Sequence, residues 1–108
     1  MIEKVINAMS DKDYEALSSC FTEDCEFIDY CPSQHGNSDS YLYGSDCVEM
    51  FFRSRWAAGI PVIAEPVIES ENRASIFISY GGAYIYARIS IEEIGSGGLI
   101  KKAIVHPV

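Results

Sequence analysis

The spacing of apolar residues along the chain predicts helices first and strands afterwards. A helical stripe with i, i+3, i+4 and i+7 spacing is formed by Ile2, Val5, Ile6 and Met9. Ser10 or Asp11 is placed to cap a second helix, which we expect to end near Phe21 or Thr22. The residues that follow, Glu26–Asp29, predict a short strand.

Between Cys31 and Gly44 the sequence is rich in residues that form turns. It therefore predicts a loop of about a dozen residues, a length at which loops in compact domains are usually functional or mobile. A solvated connector is the alternative, and the sequence does not decide between the two. Ser45 is then placed to cap a third helix, which Gly59 and Pro61 bring to an end.

After Pro61 the pattern becomes that of a sheet. Pro66 predicts that the first of these strands lies at an edge or contains a bulge. The pair Gly81-Gly82 predicts a two-residue hairpin between the second and third strands. The predicted strands span Val62–Ser70, Arg73–Tyr80, Ala83–Glu93 and Leu99–Val105.

Helices followed by a run of antiparallel strands indicate the α+β class. A chain of 108 residues is expected to form one domain, residues 1–108. Three helices packed on one face of a curved sheet would enclose a cone. The interior of such a cone is a natural site for a small molecule.

Composition and charge argue against several classes of protein. Eight basic and sixteen acidic residues give a net charge of -8, which would repel phosphate backbones, so we expect no nucleic-acid partner. No stretch approaches the roughly 18 unbroken apolar residues of a membrane span, so we expect no membrane partner. The start, Met1–Lys4, lacks the features of a signal peptide, and we expect a cytoplasmic protein unless a leader has been cleaved.

The cysteines are spaced too irregularly for a structural zinc site. In a reducing compartment we expect free thiols, whereas in a secreted protein an even number would allow disulfides. We expect no metal and no organic cofactor, although a cysteine-based or metal-binding sensor is a third hypothesis. The residues concerned are Cys20, Cys25, Cys31 and Cys47.

A set of local strings stands in a characteristic order along nearly the whole chain: Ser10–Leu17, Phe21–Asp29, Tyr43-Gly44 and Phe51-Phe52. In these strings the chain resembles the nuclear-transport-factor-2-like superfamily, and within it the SnoaL-like polyketide cyclase and ketosteroid isomerase group. The resemblance implies a cystatin-like cone, with three N-terminal helices packed on a curved antiparallel sheet. It also implies a pocket for a small apolar molecule and a homodimer formed through the sheet face. Because the superfamily hosts enzymes, binding proteins and adaptor domains, the fold alone does not give the function.

The resemblance places a candidate general base at Asp29. In ketosteroid isomerases an aspartate at the end of the first strand removes a proton beside a carbonyl, and that position falls on Asp29. The alternative is a strand-end aspartate that caps the following turn. The oxyanion-hole positions of those isomerases fall near Val5 and Ile89, which cannot donate a hydrogen bond, so a cyclase-like activity is favoured over steroid isomerisation. His35 is a candidate partner for Asp29 in proton transfer, and a surface histidine is the alternative.

Aromatic and aliphatic residues supply the candidate walls of the pocket. The hydroxyls of Tyr30, Tyr41 and Tyr43 are candidate donors to a ligand carbonyl, or else these rings cover the mouth of the cone. The predicted ligand-binding residues are Tyr14, Phe27, Tyr30, Tyr41, Tyr43, Phe52, Trp56, Ile76 and Ile89. The predicted dimer interface consists of Tyr84, Tyr86 and Arg88, which face away from the apolar side of their strand. A non-catalytic binding or dimerisation module is therefore the alternative to an enzyme.

Overall fold

The computed structural model describes residues 1–108, which form three α-helices and one six-stranded sheet. Short 3₁₀ turns at Pro32–His35 and Ser96–Gly98 connect some of these elements. In chain order the elements are α1 (Ile2–Asp11), α2 (Tyr14–Ser19), β1 (Phe21–Asp29), β2 (Ser40–Tyr43), α3 (Ser45–Ala57), β3 (Val62–Ser70), β4 (Arg73–Ser79), β5 (Ile85–Ile94) and β6 (Ile100–Pro107).

The sheet is mixed, whereas the sequence predicted an antiparallel one. Its strand order is β2-β1-β6-β5-β4-β3, and β1 and β6 run parallel while every other neighbouring pair is antiparallel. The cause is the position of β6, which lies between β1 and β5. Because β6 follows β5 through a short turn and pairs antiparallel with it, its direction matches that of β1. The α+β class is confirmed.

The helices share one side of the sheet with most of the hydrophobic core. The predicted stripe on α1 is confirmed, since Ile2, Val5, Ile6 and Met9 are all buried. Helix α1 packs against β3 and β4, α3 packs against β1 and β2, and α2 lies between the two helices. The resemblance implied three N-terminal helices. Two helices, α1 and α2, are N-terminal, because β1 and β2 precede α3. No helix combines the length with the apolar character that crossing a membrane requires.

The start and end of α2 differ from the prediction. Asp13 is the cap, and its Oδ1 accepts a hydrogen bond from the backbone N–H of Ala16 at 3.0 Å. Ser10 and Asp11 instead belong to α1. The helix ends at Ser19 because Phe21 is the first residue of β1 and packs edge-on against another aromatic ring of that strand.

The predicted loop between Cys31 and Gly44 contains an unpredicted strand. Strand β2 pairs antiparallel with β1, with Ser40 directly opposite Asp29. Four residues are too few to show a periodicity, so pairing with β1 decides that this segment is extended. Helix α3 begins at Ser45 and has no side-chain cap, since Gly44 occupies the cap position at φ 92°.

The later strands test the predictions made from Pro66 and from the pair Gly81-Gly82. The edge position and the bulge predicted from Pro66 are both present, because β3 is the outer strand and its register shifts between Ala64 and Val67. The connection from β4 to β5 spans residues 80–84 and is longer than the predicted two-residue hairpin. The hydroxyl of Ser79 shapes this turn by donating to the carbonyl oxygen of Gly82 at 2.9 Å.

Candidate functional site

Asp29 ends β1 on the side of the sheet that faces the helices. Its side chain is 6% exposed, and both carboxylate oxygens accept hydrogen bonds. Oδ1 accepts from the backbone N–H of Cys31 at 2.9 Å, and Oδ2 accepts from the hydroxyl of Tyr80. Oδ1 therefore caps the turn after β1, as the turn-capping alternative predicted. Oδ2 is instead bound by Tyr80, which is 51 positions away in the sequence.

Burial raises the pKa of the Asp29 carboxyl from its ordinary value of 3.8 to about 6. The hydrogen bonds from the N–H and thiol of Cys31 oppose this rise, and the charge of Asp39 adds to it. A carboxyl with such a pKa exists in both protonation states near neutral pH, as a group that gives and takes protons must. Burial and the neighbouring Asp29 raise the pKa of the Cys31 thiol, so Cys31 is not an activated nucleophile.

A pocket of about 360 Å³ is bordered by Tyr80. Asp29 is not part of its wall, and Tyr80 connects the two because it lines the pocket and donates to Asp29. A second cavity of about 340 Å³ also contacts Tyr80 and adds His35 and Gly81. The first pocket is lined by Pro32, Asn37, Ser38, Ser40, Phe51, Arg55, Ile60, Pro61 and Tyr80.

Secondary structure and hydrogen bonds fix the walls of this pocket. Ser40 is held there by its pairing with β1. The indole N–H of Trp56 donates to the carbonyl oxygen of Pro61 at 3.0 Å and anchors the segment after α3. Phe51 and Arg55 stand one helical turn apart on α3, and the guanidinium carbon lies 5.0 Å from the centre of the Phe51 ring.

Comparison with solved structures identifies the fold. A candidate polyketide cyclase from Sinorhizobium meliloti superposes with a TM-score of 0.68 at 15% identity, over 97% of this chain and 92% of the other. A SnoaL-like protein of unknown function from Burkholderia thailandensis gives 0.65 at 15% identity, over 99% and 91% of the two chains. A nuclear-transport-factor-2-like protein of unknown function from Cytophaga hutchinsonii gives 0.61 at 15% identity, over 99% and 86%.

This is the cystatin-like fold. Other matching structures carry that description by name, and the resemblance predicted from sequence is confirmed at the level of the fold. No protein-family model and no curated protein sequence matches the chain. At these identities the structural likeness says nothing about substrate or reaction.

Within this fold, several predicted ligand-binding residues are packed in the core. Phe27, Ile76 and Ile89 are buried in one continuous cluster with Phe52 and Trp56. The rings of Phe52 and Trp56 are 4.7 Å apart, and Phe52 also meets Phe27 edge-on at 5.5 Å. These side chains fill the space in which the sequence predicted a hollow. The pocket described above lies beside this cluster.

The predicted tyrosines lie away from the pocket that contacts Tyr80. Tyr41 and Tyr43 alternate with the inward residues of β2 and point to the other face of the sheet, where they are 51% and 62% exposed. Tyr30 follows β1 and packs edge-on against Tyr41, with ring centres 6.1 Å apart. Tyr14 is half-buried at the start of α2. His35 lines the second cavity, and no hydrogen bond joins it to Asp29.

Tyr80 is the main site residue that sequence reasoning did not select. A signal for it existed, because Ala74, Ile76, Ile78 and Tyr80 alternate onto one face and Asp29 ends a strand on that face. Arg55 also had a signal, since it follows Phe51 at i+4 on a predicted helix. Nothing local marks Asn37 or Ser40. Ser40 reaches the pocket because β2 pairs with β1, and Asn37 lies in the connection before β2, where its N–H donates to the carbonyl oxygen of Pro32.

The predicted interface residues lie mostly on the sheet face that points away from the helices, which we call the outer face. Tyr86 stacks on Phe77 there, with ring centres 5.0 Å apart. Arg88 forms a salt bridge with Glu69 at 2.8 Å. Tyr84 precedes β5 and belongs to the connecting loop. All four cysteines are free thiols, and no group of three or more His, Cys, Asp or Glu side chains is arranged to hold a metal ion.

Proposed function

We propose that this chain binds a small carbonyl compound in the pocket beside Tyr80 and moves a proton on it through Tyr80 and Asp29. The observation that supports this is the hydrogen bond between the two residues, with Tyr80 on the pocket wall and Asp29 buried behind it. The pocket volume of about 360 Å³ is within the range of small-molecule sites. Cyclic ketones and polyketide-like compounds are the substrate classes we propose.

The ionised form of Asp29 makes the pair a base. The hydroxyl of Tyr80 donates its proton to Asp29, so the lone pairs of the Tyr80 oxygen are free to accept a proton. A C–H proton next to the ligand carbonyl moves to the Tyr80 oxygen as the hydroxyl proton moves to Asp29. The bond between the ligand carbon and its hydrogen breaks, its electrons pass to the carbonyl oxygen, and the proton comes to rest on Asp29.

The protonated form of Asp29 makes the same pair an acid. Asp29 then donates to the Tyr80 oxygen, and the Tyr80 hydroxyl is free to donate to the ligand. Returning the proton at a different carbon would isomerise the ligand, and attack of the enolate carbon on a second carbonyl would close a ring. A pKa of about 6 keeps both forms of Asp29 accessible near neutral pH.

The pocket also contains groups able to stabilise charge on the ligand oxygen. The oxyanion positions expected from ketosteroid isomerases are occupied by Val5 and Ile89, both buried in the core. The side chains of Asn37, Ser38 and Ser40 line the pocket instead, and none of them makes a hydrogen bond within the chain. Donors aimed at a developing oxyanion usually supply the largest catalytic effect.

Hydrogen–deuterium exchange next to a carbonyl tests this proposal. Cyclic ketones are incubated with the protein in D₂O, and loss of the α-proton signal is followed by NMR. We expect Tyr80→Phe and Asp29→Asn each to slow exchange by roughly 100-fold or more, the usual effect of removing a general acid–base group. Tyr41→Phe is the matched control, because that tyrosine is exposed on the outer face. Exchange that Tyr80→Phe leaves unchanged, or no exchange with any ketone, would overturn the proposal.

A second candidate function is that of a dimerisation module. Exposed apolar groups on the outer face favour it, since Val67 is 58% and Tyr86 43% exposed. Light scattering during size-exclusion chromatography tests whether two copies associate through this face. We expect a dimer that Tyr86→Glu converts to a monomer, while Met50→Glu on α3 leaves the dimer intact. A protein that stays monomeric at high concentration would contradict the homodimer.

A further inference from the structure

The pocket beside Tyr80 contains one charged side chain, that of Arg55. The other lining residues are neutral. The acidic groups nearby are Asp29, which lies behind Tyr80, and Asp39, which stands between two lining serines, so the guanidinium is the one charge on the pocket wall itself. The chain as a whole has a net charge of -8. An anion would therefore be repelled from most of the molecule and attracted at this pocket, where a cation lies close to it.

Arg55 makes no salt bridge within the chain, although acidic residues outnumber basic ones sixteen to eight. The three salt bridges use other basic residues, which are Arg88, Lys101 and Lys102. The N–H groups of Arg55 are thus available to donate hydrogen bonds to a ligand. Their planar fork matches the two oxygens of a carboxylate, which arginine binds more specifically than lysine does.

Arg55 is exposed, and one aromatic contact favours a defined position for its charge. The guanidinium stands over the ring of Phe51, another pocket residue, at 5.0 Å from the ring centre. A cation over an aromatic face is attracted by the ring electrons, which favours this position over a fully solvated one. Asn37 and Ser40 add neutral donors to the same pocket, and neither side chain is used in a hydrogen bond within the chain.

We propose that the ligand of this pocket is a carbonyl compound that also carries a carboxylate, which pairs with Arg55 while the carbonyl lies next to Tyr80. The position of the carbonyl rests on the proposed function. The preference for an anion rests on Arg55 alone and is measurable whether or not the protein catalyses a reaction.

A matched pair of probes tests the preference for an anion. The probes are 3-oxocyclohexane-1-carboxylate and its methyl ester, which differ mainly in charge, and binding is measured by calorimetry at low salt. We expect the acid to bind about tenfold or more tightly than the ester, because hydrogen bonds to charged groups are stronger than neutral ones. Higher salt should reduce that difference.

Substitutions separate this inference from the proposed function. Arg55→Gln should abolish the preference for the acid, whereas Arg53→Gln should retain it, because Arg53 lies on the same helix near Tyr14 and outside the pocket. Tyr80→Phe should retain the preference while slowing proton exchange by roughly 100-fold or more. The inference would be overturned if the acid and the ester bound equally, or if neither bound at millimolar concentration. It would also be overturned if the Arg55→Gln protein still preferred the acid.

Discussion

Replacing Asp29 by Asn should change how the stability of the protein depends on pH. In the folded protein burial raises the pKa of Asp29 from 3.8 to about 6, whereas the unfolded chain has the ordinary value. Between these two pH values the folded form keeps a proton that the unfolded form has lost. The contribution of Asp29 to stability is therefore greatest below pH 3.8 and is lost as the pH rises through about 6.

The size of this effect follows from the same two values. A rise in pKa from 3.8 to about 6 corresponds to roughly 3 kcal/mol, because one pH unit is worth about 1.4 kcal/mol. Asn has nearly the shape of Asp and can still accept from the N–H of Cys31 and donate to the oxygen of Tyr80, but it cannot ionise. Because pH 4 already lies just above the unfolded pKa of 3.8, the stability of the Asp29→Asn protein relative to the native one should increase by roughly 2.4 kcal/mol between pH 4 and pH 7.5.

Urea-induced unfolding at a series of pH values measures this difference. Trp56 is the sole tryptophan and is largely buried, so its fluorescence reports unfolding in both proteins. Titrating groups that do not interact with Asp29 contribute equally to the two proteins and cancel in the difference. Asp11→Asn, an exposed aspartate in the last turn of α1, serves as the control and should give a constant difference. If the difference for Asp29→Asn is also constant with pH, the carboxyl is not buried as described and the base has no raised pKa.

Three further substitutions test individual contacts. Tyr80→Phe removes a hydrogen bond to the ionised form of Asp29, so the pKa of Asp29 should rise further, as an NMR titration of its carboxyl carbon would show. Asp13→Ala should destabilise the protein by about 1 kcal/mol in urea, because it removes the cap of α2, whereas Asp11→Ala should have little effect. Gly44→Ala should cost about 1–3 kcal/mol by the same measurement, since its φ is 92° and a Cβ would lie 3.1 Å from a backbone oxygen of β1. The contact of Tyr80 with Asp29 would be contradicted by an unchanged pKa of Asp29. The cap of α2 would be contradicted if Asp13→Ala and Asp11→Ala had equal effects, and the close approach at Gly44 if the Gly44→Ala protein were fully stable.

Elements with a local pattern could be predicted from the amino-acid sequence. The buried stripe of α1 and the bounds of β3 follow from apolar spacing, which records the side chains that must leave water. Pro66 predicted the edge and the bulge because proline cannot donate to a ladder. The order of these elements, together with several local strings, gave the resemblance that indicated the cystatin-like fold and placed the candidate base at Asp29.

Contacts between distant segments could not be predicted in this way and became visible in the folded chain. The parallel pairing of β1 with β6, the strand at Ser40–Tyr43 and the contact of Asp29 with Tyr80 all join residues far apart in sequence. No periodicity encodes such contacts, because each depends on the combined packing of the whole chain against the entropy of closing long loops. For the same reason the expected hollow became a packed core around Phe27, and the pocket lies where β2 and α3 come together with the turn after β4.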